Sequence, residues 1–409
     1  MSFQQGLSGL NSAAKQLDTI GNNVANASTV GFKESQTQFA DMYAATIYSS
    51  AALQVGSGGR VAAIAQQFSQ GNITSSNNPL DVAISGPGFY RMTDQNGGIS
   101  YSRNGQFHED LNGFLVNNVG HNLTGAVGIP ATAATPASLG AVGSLQINKA
   151  NSPPKATAQA AVAVNLDSRL AALGTKITSM TVYDSKGAPH MAEFTFTKQA
   201  AVPGGAPAGT TSSWGVTLKV DNVANALTTP APANLSFDIN GTLLNPAPAL
   251  FTSTAVAAAG LAAIPFDFAS STQYASDFSI NAMSQDGYAA GTLSGYSIGT
   301  DGIITGRYTN GKNQVLGQIL LANFSNPQAL QPVGNNEWVD TPAAGLLGST
   351  PLAPGQSGRG VLQGSAVEES NVDLTAELVN MIVAQRMYQA NAQTVKTQDQ
   401  VLQTIVNLR

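Results

Sequence analysis

Both ends of this 409-residue chain carry apolar residues that recur at alternating spacings of three and four, as on one face of a long helix. The N-terminal stripe consists of Phe3, Leu7, Leu10, Ala14, Leu17, Gly21 and Val24. The C-terminal stripe consists of Leu374, Leu378, Met381, Gln385, Tyr388, Ala392, Val395, Asp399, Leu402 and Val406. We therefore predict coiled-coil-like helices over residues 1–30 and 371–409, with the rest of the fold nested between them.

The large apolar residues of these stripes are predicted to form an assembly interface. The C-terminal pattern runs for roughly 37 residues, or about 55 Å of helix, which is much longer than a mean globular helix. In the N-terminal helix Gly6, Gly9 and Gly21 each cost roughly 1 kcal/mol relative to alanine. Burial of a large side chain returns roughly 1.5–3 kcal/mol, but only where a partner covers it.

We therefore expect both ends to be disordered in the free chain and to fold on assembly. The predicted interface residues are Phe3, Leu7, Leu10, Leu17, Val24, Leu374, Leu378, Met381, Tyr388, Val395 and Leu402. The alternative is a pair of ordinary amphipathic helices that pack on the core of their own domain.

Between the helical ends the sequence favours short β-strands. Asn-Gly and Asp-Gly turn dipeptides begin at residues 96, 112, 240, 286, 301 and 310, and several of them separate β-prone runs. Such runs are Gly88–Met92, Gly113–Asn117, Met180–Tyr183 and Glu193–Thr197. The predicted fold class is mainly β with α-helical termini, in which antiparallel β domains are nested between the N- and C-terminal helices.

Changes in composition divide the middle of the chain. Stretches rich in Ala, Pro, Thr and Ser, which are typical of loops, lie near 126–144, 199–213, 222–234 and 244–264. We predict an inserted outer β domain at 145–284, flanked by the two parts of an inner β domain at 71–144 and 285–360. Residues 31–70 and 361–370 are predicted to connect the inner β domain to an inner assembly domain, which consists of the helices at 1–30 and 371–409.

Composition excludes several classes of function. Only 10% of the residues are charged and the net charge is −5, so we expect no binding to nucleic acid or to an anionic membrane. Cysteine is absent, which excludes disulfides and thiolate metal sites. The first ten residues lack the basic and apolar regions of a cleaved signal peptide. The sequence has no apolar stretch of about 18 residues, so we expect no membrane insertion.

The search for catalytic, metal and cofactor sites is negative. His108, His121 and His190 show no metal-ligand spacing, and neither a Gly-x-Ser-x-Gly elbow nor a phosphate-binding loop occurs. We therefore predict no catalytic residue, no metal and no cofactor, and a protein that is not an enzyme. An extracellular β-rich protein that binds or cleaves glycans stays open as an alternative, because paired carboxylates on a β scaffold need no such motif.

Several segments resemble the bacterial flagellar rod and hook proteins. Residues 20–33 (IGNNVANASTVGFK), 78–90 (NPLDVAISGPGFY), 101–107 (YSRNGQF) and 112–117 (NGFLVN) follow the order of that family's N-terminal motifs. Residues 378–408 look like its C-terminal helix. The motif residues taken from this resemblance are Asn23, Asn26, Gly31, Phe32, Asn78, Pro79, Asp81, Gly86, Gly88 and Phe89.

The resemblance implies a structural subunit that polymerises into the flagellar hook, a flexible tubular universal joint that transmits motor torque to the filament. The large insert favours the hook members of the family over the shorter rod members, and a distal rod subunit is the alternative. The helices would form the inner layer of the tube and the β domains its outer layers.

Localisation and partners also follow from the resemblance. The implied location is the bacterial flagellum outside the cell, at the distal end of the basal body. The chain would reach it through the type III export apparatus without a cleaved signal peptide. The implied partners are further copies of the chain, the hook-capping protein, the distal rod protein, the hook–filament junction protein and the export apparatus.

Overall fold

The computed structural model describes residues 2–42, 58–129, 138–204, 206–225, 227–229, 233–245, 250–255, 260–348 and 350–407. Three kinds of predicted segment lie partly outside the described residues. They are the ends of the predicted terminal helices (Met1 and 408–409), residues 43–57 of the predicted connecting segment, and parts of the predicted loop stretches. The described chain is mainly β, with long α-helices at its two ends, which confirms the predicted fold class.

The two terminal helices, α1 (Ser2–Ala25) and α2 (Leu374–Asn407), lie side by side. A Cβ atom on Gly6 would lie 3.0 Å from Val395, near the end of α2, while the Asn23 amide lies 3.5 Å from Glu377, near its beginning. The helices therefore run antiparallel, with the beginning of α1 beside the second half of α2.

Local capping sets where the helices begin and end. The carboxylate of Asp373 accepts the N–H groups of Thr375 and Ala376, at 2.8 and 3.1 Å, as an N-cap residue does. α2 therefore begins at Leu374. α1 ends at Ala25, and the chain then turns, with the Thr29 hydroxyl donating to the Asn26 side chain at 3.2 Å.

The segment after α1 forms an antiparallel hairpin of β1 (Ser35–Met42) and β2 (Gly58–Gln66), in which Ser35 pairs with Gln66. This hairpin falls within the predicted connecting segment, where the glutamines and serines gave no clear alternation. It packs on α1, and the Gly59 N–H donates to the Ser8 hydroxyl at 2.9 Å. The tertiary contact with α1 therefore supports strands that local propensity only weakly favours.

Short strands follow up to residue 144: β3 (Ile73–Ser75), β4 (Val82–Ser85), β5 (Phe89–Thr93), β6 (Ile99–Ser102), β7 (His108–Glu109), β8 (Leu115–Val116), β9 (Asn122–Ile129) and β10 (Ser138–Ser144). Strands between residues 160 and 285 are β11 (Ala160–Asn165), β12 (Thr175–Tyr183), β13 (Pro189–Lys198), β14 (Ser212–Val220), β15 (Val223–Asn225), β16 (Leu227–Thr229), β17 (Asn234–Phe237), β18 (Leu243–Asn245), β19 (Leu250–Ser253), β20 (Pro265–Asp267) and β21 (Ser279–Gln285).

The last strands are β22 (Leu293–Ile298), β23 (Ile303–Tyr308), β24 (Asn313–Ile319), β25 (Leu321–Ala322), β26 (Gln331–Gly334), β27 (Glu337–Val339), β28 (Val361–Gly364) and β29 (Ala366–Glu368). A short 3-10 helix spans Pro327–Ala329. We call β3–β10 together with β22–β29 the β body, and β11–β21 the insert.

The β body is built around one 12-stranded sheet made from both sides of the insert. Its strand order is β22-β23-β24-β9-β5-β6-β27-β26, with β10 on β9, β25 on β5 and β7–β8 at the side. β9 pairs with β24, and β6 pairs with β27, so strands that precede the insert are hydrogen-bonded to strands that follow it. Two further pairs, β3–β29 and β4–β28, extend the body toward the terminal helices.

The insert consists of two sheets that share one apolar core. One has the order β16-β19-β20-β11-β21, and the other has the order β12-β13-β14-β17-β18 with β15 on β14. Along β13, Ala192, Phe194 and Phe196 are buried while the intervening residues face outward, the alternation expected of a strand with one buried face. The fully buried Trp214, Phe251 and Phe266 join them in the core.

Most of the turn dipeptides are used as predicted. The glycine takes a positive φ of 74–86° in the turns at Gly97, Gly113, Gly241, Gly302 and Gly311. Each of these turns joins two strands of a hairpin or of a short strand pair. Glycine suits these positions because it adopts a positive φ at little cost. The remaining dipeptide, Asp286-Gly287, differs: among the described residues, Gly287 is not one of those with a positive φ. Its segment leads from the insert back to the β body.

Candidate assembly interface

Small residues mediate the contact between α1 and α2 inside one chain. Ala13 and Ile20 on α1 are 4% and 5% exposed, and Ala384 on α2 is fully buried. Gly9 lies so close to α2 that a Cβ atom there would stand 2.7 Å from the Asn391 side chain. The helix glycines thus serve close approach within the chain, and the α1–α2 contact itself buries few large side chains.

The predicted interface residues lie mostly beside this contact. On α1, Phe3 and Leu7 are 44% and 47% exposed, and Leu10, Leu17 and Val24 are half-buried. On α2 the exposed ones are Leu374, Leu378, Tyr388 and Leu402, and the half-buried ones are Met381 and Val395. We call these eleven residues the assembly rows. They stay a prediction as an interface, since a single chain shows only that six of them are exposed and five are half-buried.

α2 exposes more apolar surface than the assembly rows contain. Further exposed residues are Val379, Ile382, Val383, Met387, Val401 and Val406. A single stripe of residues spaced three and four apart does not include them, because α2 is apolar on more than one side. This pattern is typical of a helix surrounded by several neighbours. Its exposed apolar side chains extend over nearly its whole length.

Lys33, Arg103 and Glu368 are buried where the helices join the β body. We call the segments 23–35, 67–72, 101–104 and 365–373 at this junction the neck. Glu368 accepts from Lys33 at 2.7 Å and from Arg103 at 3.1 Å. Lys33 also donates to the Ser69 carbonyl at 2.8 Å, and Arg103 to the Gly86 carbonyl at 2.9 Å. The cluster ties together segments more than 260 residues apart.

Asparagine side chains complete the neck. Asn23, 1% exposed, exchanges two hydrogen bonds with the backbone of Ser35, at 2.9 and 3.0 Å. Asn371 accepts the Glu34 N–H and donates to the Gln67 carbonyl, both at 2.8 Å. These amides satisfy backbone groups that regular secondary structure leaves open at the neck.

The motif residues taken from the family resemblance lie at the neck and at the adjoining edge of the β body. Gly31 has φ +72°, and a Cβ atom there would stand 2.6 Å from the backbone nitrogen of Asn104. Asn78 donates to Asp81 at 2.9 Å in the turn before β4, and Pro79 lies within this turn. Gly86 and Gly88 also have positive φ, and Phe89 is buried against other aromatic rings.

The remaining two motif residues, Asn26 and Phe32, are half-buried in the neck itself. The motif residues thus shape the junction, whereas the assembly rows lie on the helices. Lys33 and Arg103 belong to the sequence segments that carry the resemblance. Glu368, their shared partner, had no sequence signal of its own, because only folding brings it to them.

Titratable groups elsewhere in the described part of the chain show no arrangement typical of catalysis. Glu337, 3% exposed, accepts from Asn117 at 2.6 Å and lies 3.0 Å from the His121 ring. His190 lies 2.6 Å from Asp221, whose pKa is lowered mainly by that hydrogen bond. Within the described ranges, no group of three or more potential ligands could hold a metal ion, and no helix is long and apolar enough to cross a membrane.

Four family models match the chain in order. Residues 3–33 match the flagella basal body rod protein, residues 83–148 the flagellar hook protein FlgE/F/G D1 domain, residues 122–288 the flagellar basal body protein FlaE D2 domain, and residues 363–408 the flagellar basal body rod FlgEFG protein C-terminal region. Together they extend from the beginning of α1 to the end of α2.

Full-length relatives agree with these matches. The chain is 42% identical to the flagellar hook protein FlgE of Escherichia coli K12 over 429 aligned residues and to that of Salmonella typhimurium LT2 over 430, with all of each chain covered. The FlgE of Borreliella burgdorferi is 30% identical and 99% covered. The crystal structure of Helicobacter pylori FlgE2 has a similar fold, with a TM-score of 0.52 at 12% identity over 72% of this chain and all of that one. The chain therefore belongs to the flagellar hook protein family.

Proposed function

We propose that this chain is a structural subunit that polymerises into the bacterial flagellar hook, the flexible tubular joint that transmits motor torque to the filament. One observation carries the mechanism: the antiparallel pair α1–α2 leaves six of the eleven residues of the assembly rows exposed, together with six further apolar residues of α2. Large apolar residues exposed in such number are typical of a protein interaction site. Other copies of the same chain cover it in the proposed polymer.

The energetics of the helix pair favour folding that is coupled to assembly. The contact within one chain is made by residues such as Gly6, Ala13 and Ala384, which bury little apolar area. Each exposed leucine that a neighbour covers adds roughly 1.5–3 kcal/mol. Subunit docking therefore supplies most of the stabilisation of α1 and α2. An exported chain that travels unfolded and folds at the growing end suits this balance.

The outer parts are proposed to supply compliance. An ion pair of the insert, Arg169–Asp277 at 2.7 Å, is exposed on both side chains, and so exposed a pair contributes little stability. Small polar side chains make weak, interchangeable contacts between neighbouring subunits. Outer contacts of this kind slide while the helices hold the tube together.

The domain boundaries, partners and route belong to the same proposal. The inner assembly domain consists of the terminal helices, the inner β domain of the β body, and the outer domain of residues 145–284. The distal rod protein, the hook-capping protein and the hook–filament junction protein are the proposed neighbours, and the type III export apparatus is the proposed route to the flagellum outside the cell. The subunit has a structural role and performs no catalysis.

Removal of α2 tests the function. A chain that ends at residue 370 is expected to keep the β body and the insert folded, since their cores contain no residue of α2, and to form no polymer. Far-ultraviolet circular dichroism and electron microscopy measure the two properties, with the full chain as control. Self-association of the shortened chain into tubes would contradict an assembly role for α2.

The shape of the polymer separates the hook from its alternatives. Curved tubes of the full chain, which change curvature with solution conditions, are expected for the hook. Straight, rigid tubes would support a distal rod subunit instead. A full chain that stays monomeric and binds oligosaccharide would support the glycan-binding alternative.

A further inference from the structure

The buried charge cluster of the neck contains more positive than negative charge. Lys33 and Arg103 share the single carboxylate of Glu368, and the three side chains are 0%, 4% and 0% exposed. Glu368 also accepts the Gly71 N–H at 3.0 Å, and the other partners of Lys33 and Arg103 are the neutral carbonyls of Ser69 and Gly86. An uncompensated charge is strongly unfavourable in a low-dielectric interior.

Two further observations show how this excess of positive charge affects the side chains of the cluster. Burial lowers the pKa of Lys33, and Arg103 adds to this shift while Glu368 opposes it. The Nε atom of Arg103 is shielded from solvent and has no hydrogen-bond partner in the described part of the chain. The cluster therefore has a buried N–H donor without a partner as well as a deficit of negative charge.

A cavity of about 300 Å³ opens beside this cluster. Among the described residues that line it, Arg103 is the only charged one, and the lining also contains the amides of Gln70 and Asn323. The remaining lining is apolar or glycine: Phe68, Gly86, Pro87, Gly88, Phe89 and Pro327. A planar carboxylate suits a guanidinium in geometry and charge, and apolar walls suit the methylene groups that carry it.

We propose that this pocket binds a carboxylate, supplied in the polymer by an aspartate or glutamate of a second copy of this chain. The source of the carboxylate rests on the proposed function, because a homopolymer places copies of the same surface side by side. The chain has 23 acidic residues against 18 basic ones, so a second copy carries a surplus of carboxylates. The incoming carboxylate compensates the excess positive charge of the cluster in the neck. Subunit docking thereby stabilises the junction between the helices and the β body.

Acetate, which has the same carboxylate as these side chains, tests the pocket in the soluble full chain. We expect sodium acetate to raise the thermal unfolding midpoint saturably in the millimolar range, beyond the effect of sodium chloride at equal ionic strength. A wild-type chain without an acetate-specific rise overturns the proposal, and this measurement needs no variant.

The substitution Gln70→Glu localises the effect. The Gln70 side-chain oxygen accepts the Gly86 N–H at 2.9 Å, so glutamate keeps this acceptor while it adds a negative charge to the pocket lining. The matched control is Gln331→Glu, on an exposed strand of the β body. We expect the acetate response to disappear in Gln70→Glu and to persist in Gln331→Glu. A response that persists in both variants places the acetate elsewhere and overturns the proposal.

Polymerisation of the same variants tests the source of the carboxylate. Gln70→Glu is expected to slow polymer growth about tenfold relative to Gln331→Glu, as a lost charge pair of about 1.4 kcal/mol predicts. Equal growth of the two variants would overturn the second copy as the source. If even the wild-type chain forms no polymer, the proposed function fails, and the acetate titration still decides the pocket.

Discussion

Asn23, Lys33 and Glu368 show how single residues define the junction in this protein. Each is almost fully buried, although its residue type is usually exposed, and each has hydrogen-bond partners from another segment of the chain. Buried polar groups of this kind favour one arrangement of the backbone, because any other arrangement leaves them unpaired. The neck is thus specified by polar contacts, whereas the β body and the insert are specified by apolar cores.

Glu34 gives the residue-scale prediction. Burial, together with the nearby carboxylate of Glu377, raises the pKa of Glu34 above its usual 4.5. Between the unfolded and folded pKa values the folded chain keeps a proton that the unfolded chain has released, so stability falls as pH rises through this window. We expect Glu34→Gln to raise the thermal unfolding midpoint at pH 7 and to have little effect at pH 4.

Calorimetry of the full chain at both pH values measures this difference. The control is Glu369→Gln, because Glu369 is exposed and lies in the same neck. An equal gain at pH 4 and pH 7 would show that ionisation of Glu34 is not the cause.

At the scale of elements, α1 and α2 each present two different faces. The face toward the partner helix carries small residues such as Gly9, Ala13 and Ala384, and the other faces carry the large apolar side chains. Close approach of the helices and exposure of the assembly rows are therefore two results of one sequence pattern. A helix pair with its large residues turned inward would have little apolar surface left for other subunits.

Leu378 gives the element-scale prediction. Its side chain is 45% exposed, so Leu378→Asp is expected to change the free energy of unfolding of the soluble chain by no more than about 0.5 kcal/mol. In the polymer the same change places a charge in an apolar contact and costs at least the roughly 1.5–3 kcal/mol of a buried leucine. We expect sedimentation to show loss of polymer.

Leu111→Asp is the matched control for this test, because Leu111 is a fully exposed leucine in the turn between β7 and β8. It should polymerise like the wild-type chain. Normal polymerisation of Leu378→Asp would remove this residue from the assembly rows.

At the scale of the whole molecule, the chain is nested: helix, hairpin, half of the β body, insert, second half of the β body, and helix. Nesting makes the β body depend on contacts between distant segments, such as β9 with β24 and β6 with β27. The insert has its own core and needs no such contact with the β body. Its size can therefore change without altering the strand pairs that hold the β body together.

Hydrogen exchange provides the whole-molecule prediction. We expect α1 and α2 to exchange rapidly in the soluble chain and to become protected in the polymer, because neighbouring subunits supply most of their apolar burial. The buried strands β13 and β14 should be protected in both states and serve as the internal control. Strong protection of the helices in the soluble chain would mean that the α1–α2 contact suffices by itself.

The sequence by itself determined the helical ends, the β middle, the turn glycines and the family, since each depends on local periodicity or on contiguous motifs. The asparagines and glycines of those motifs were visible in the same way, but their role at the neck was not. Only the tertiary structure decided which helix face is covered within the chain, that β1 and β2 pair, and that Glu368 joins Lys33 and Arg103. The physical reason is that burial and charge balance depend on segments separated by hundreds of residues, whereas periodicity reports only on neighbours along the chain.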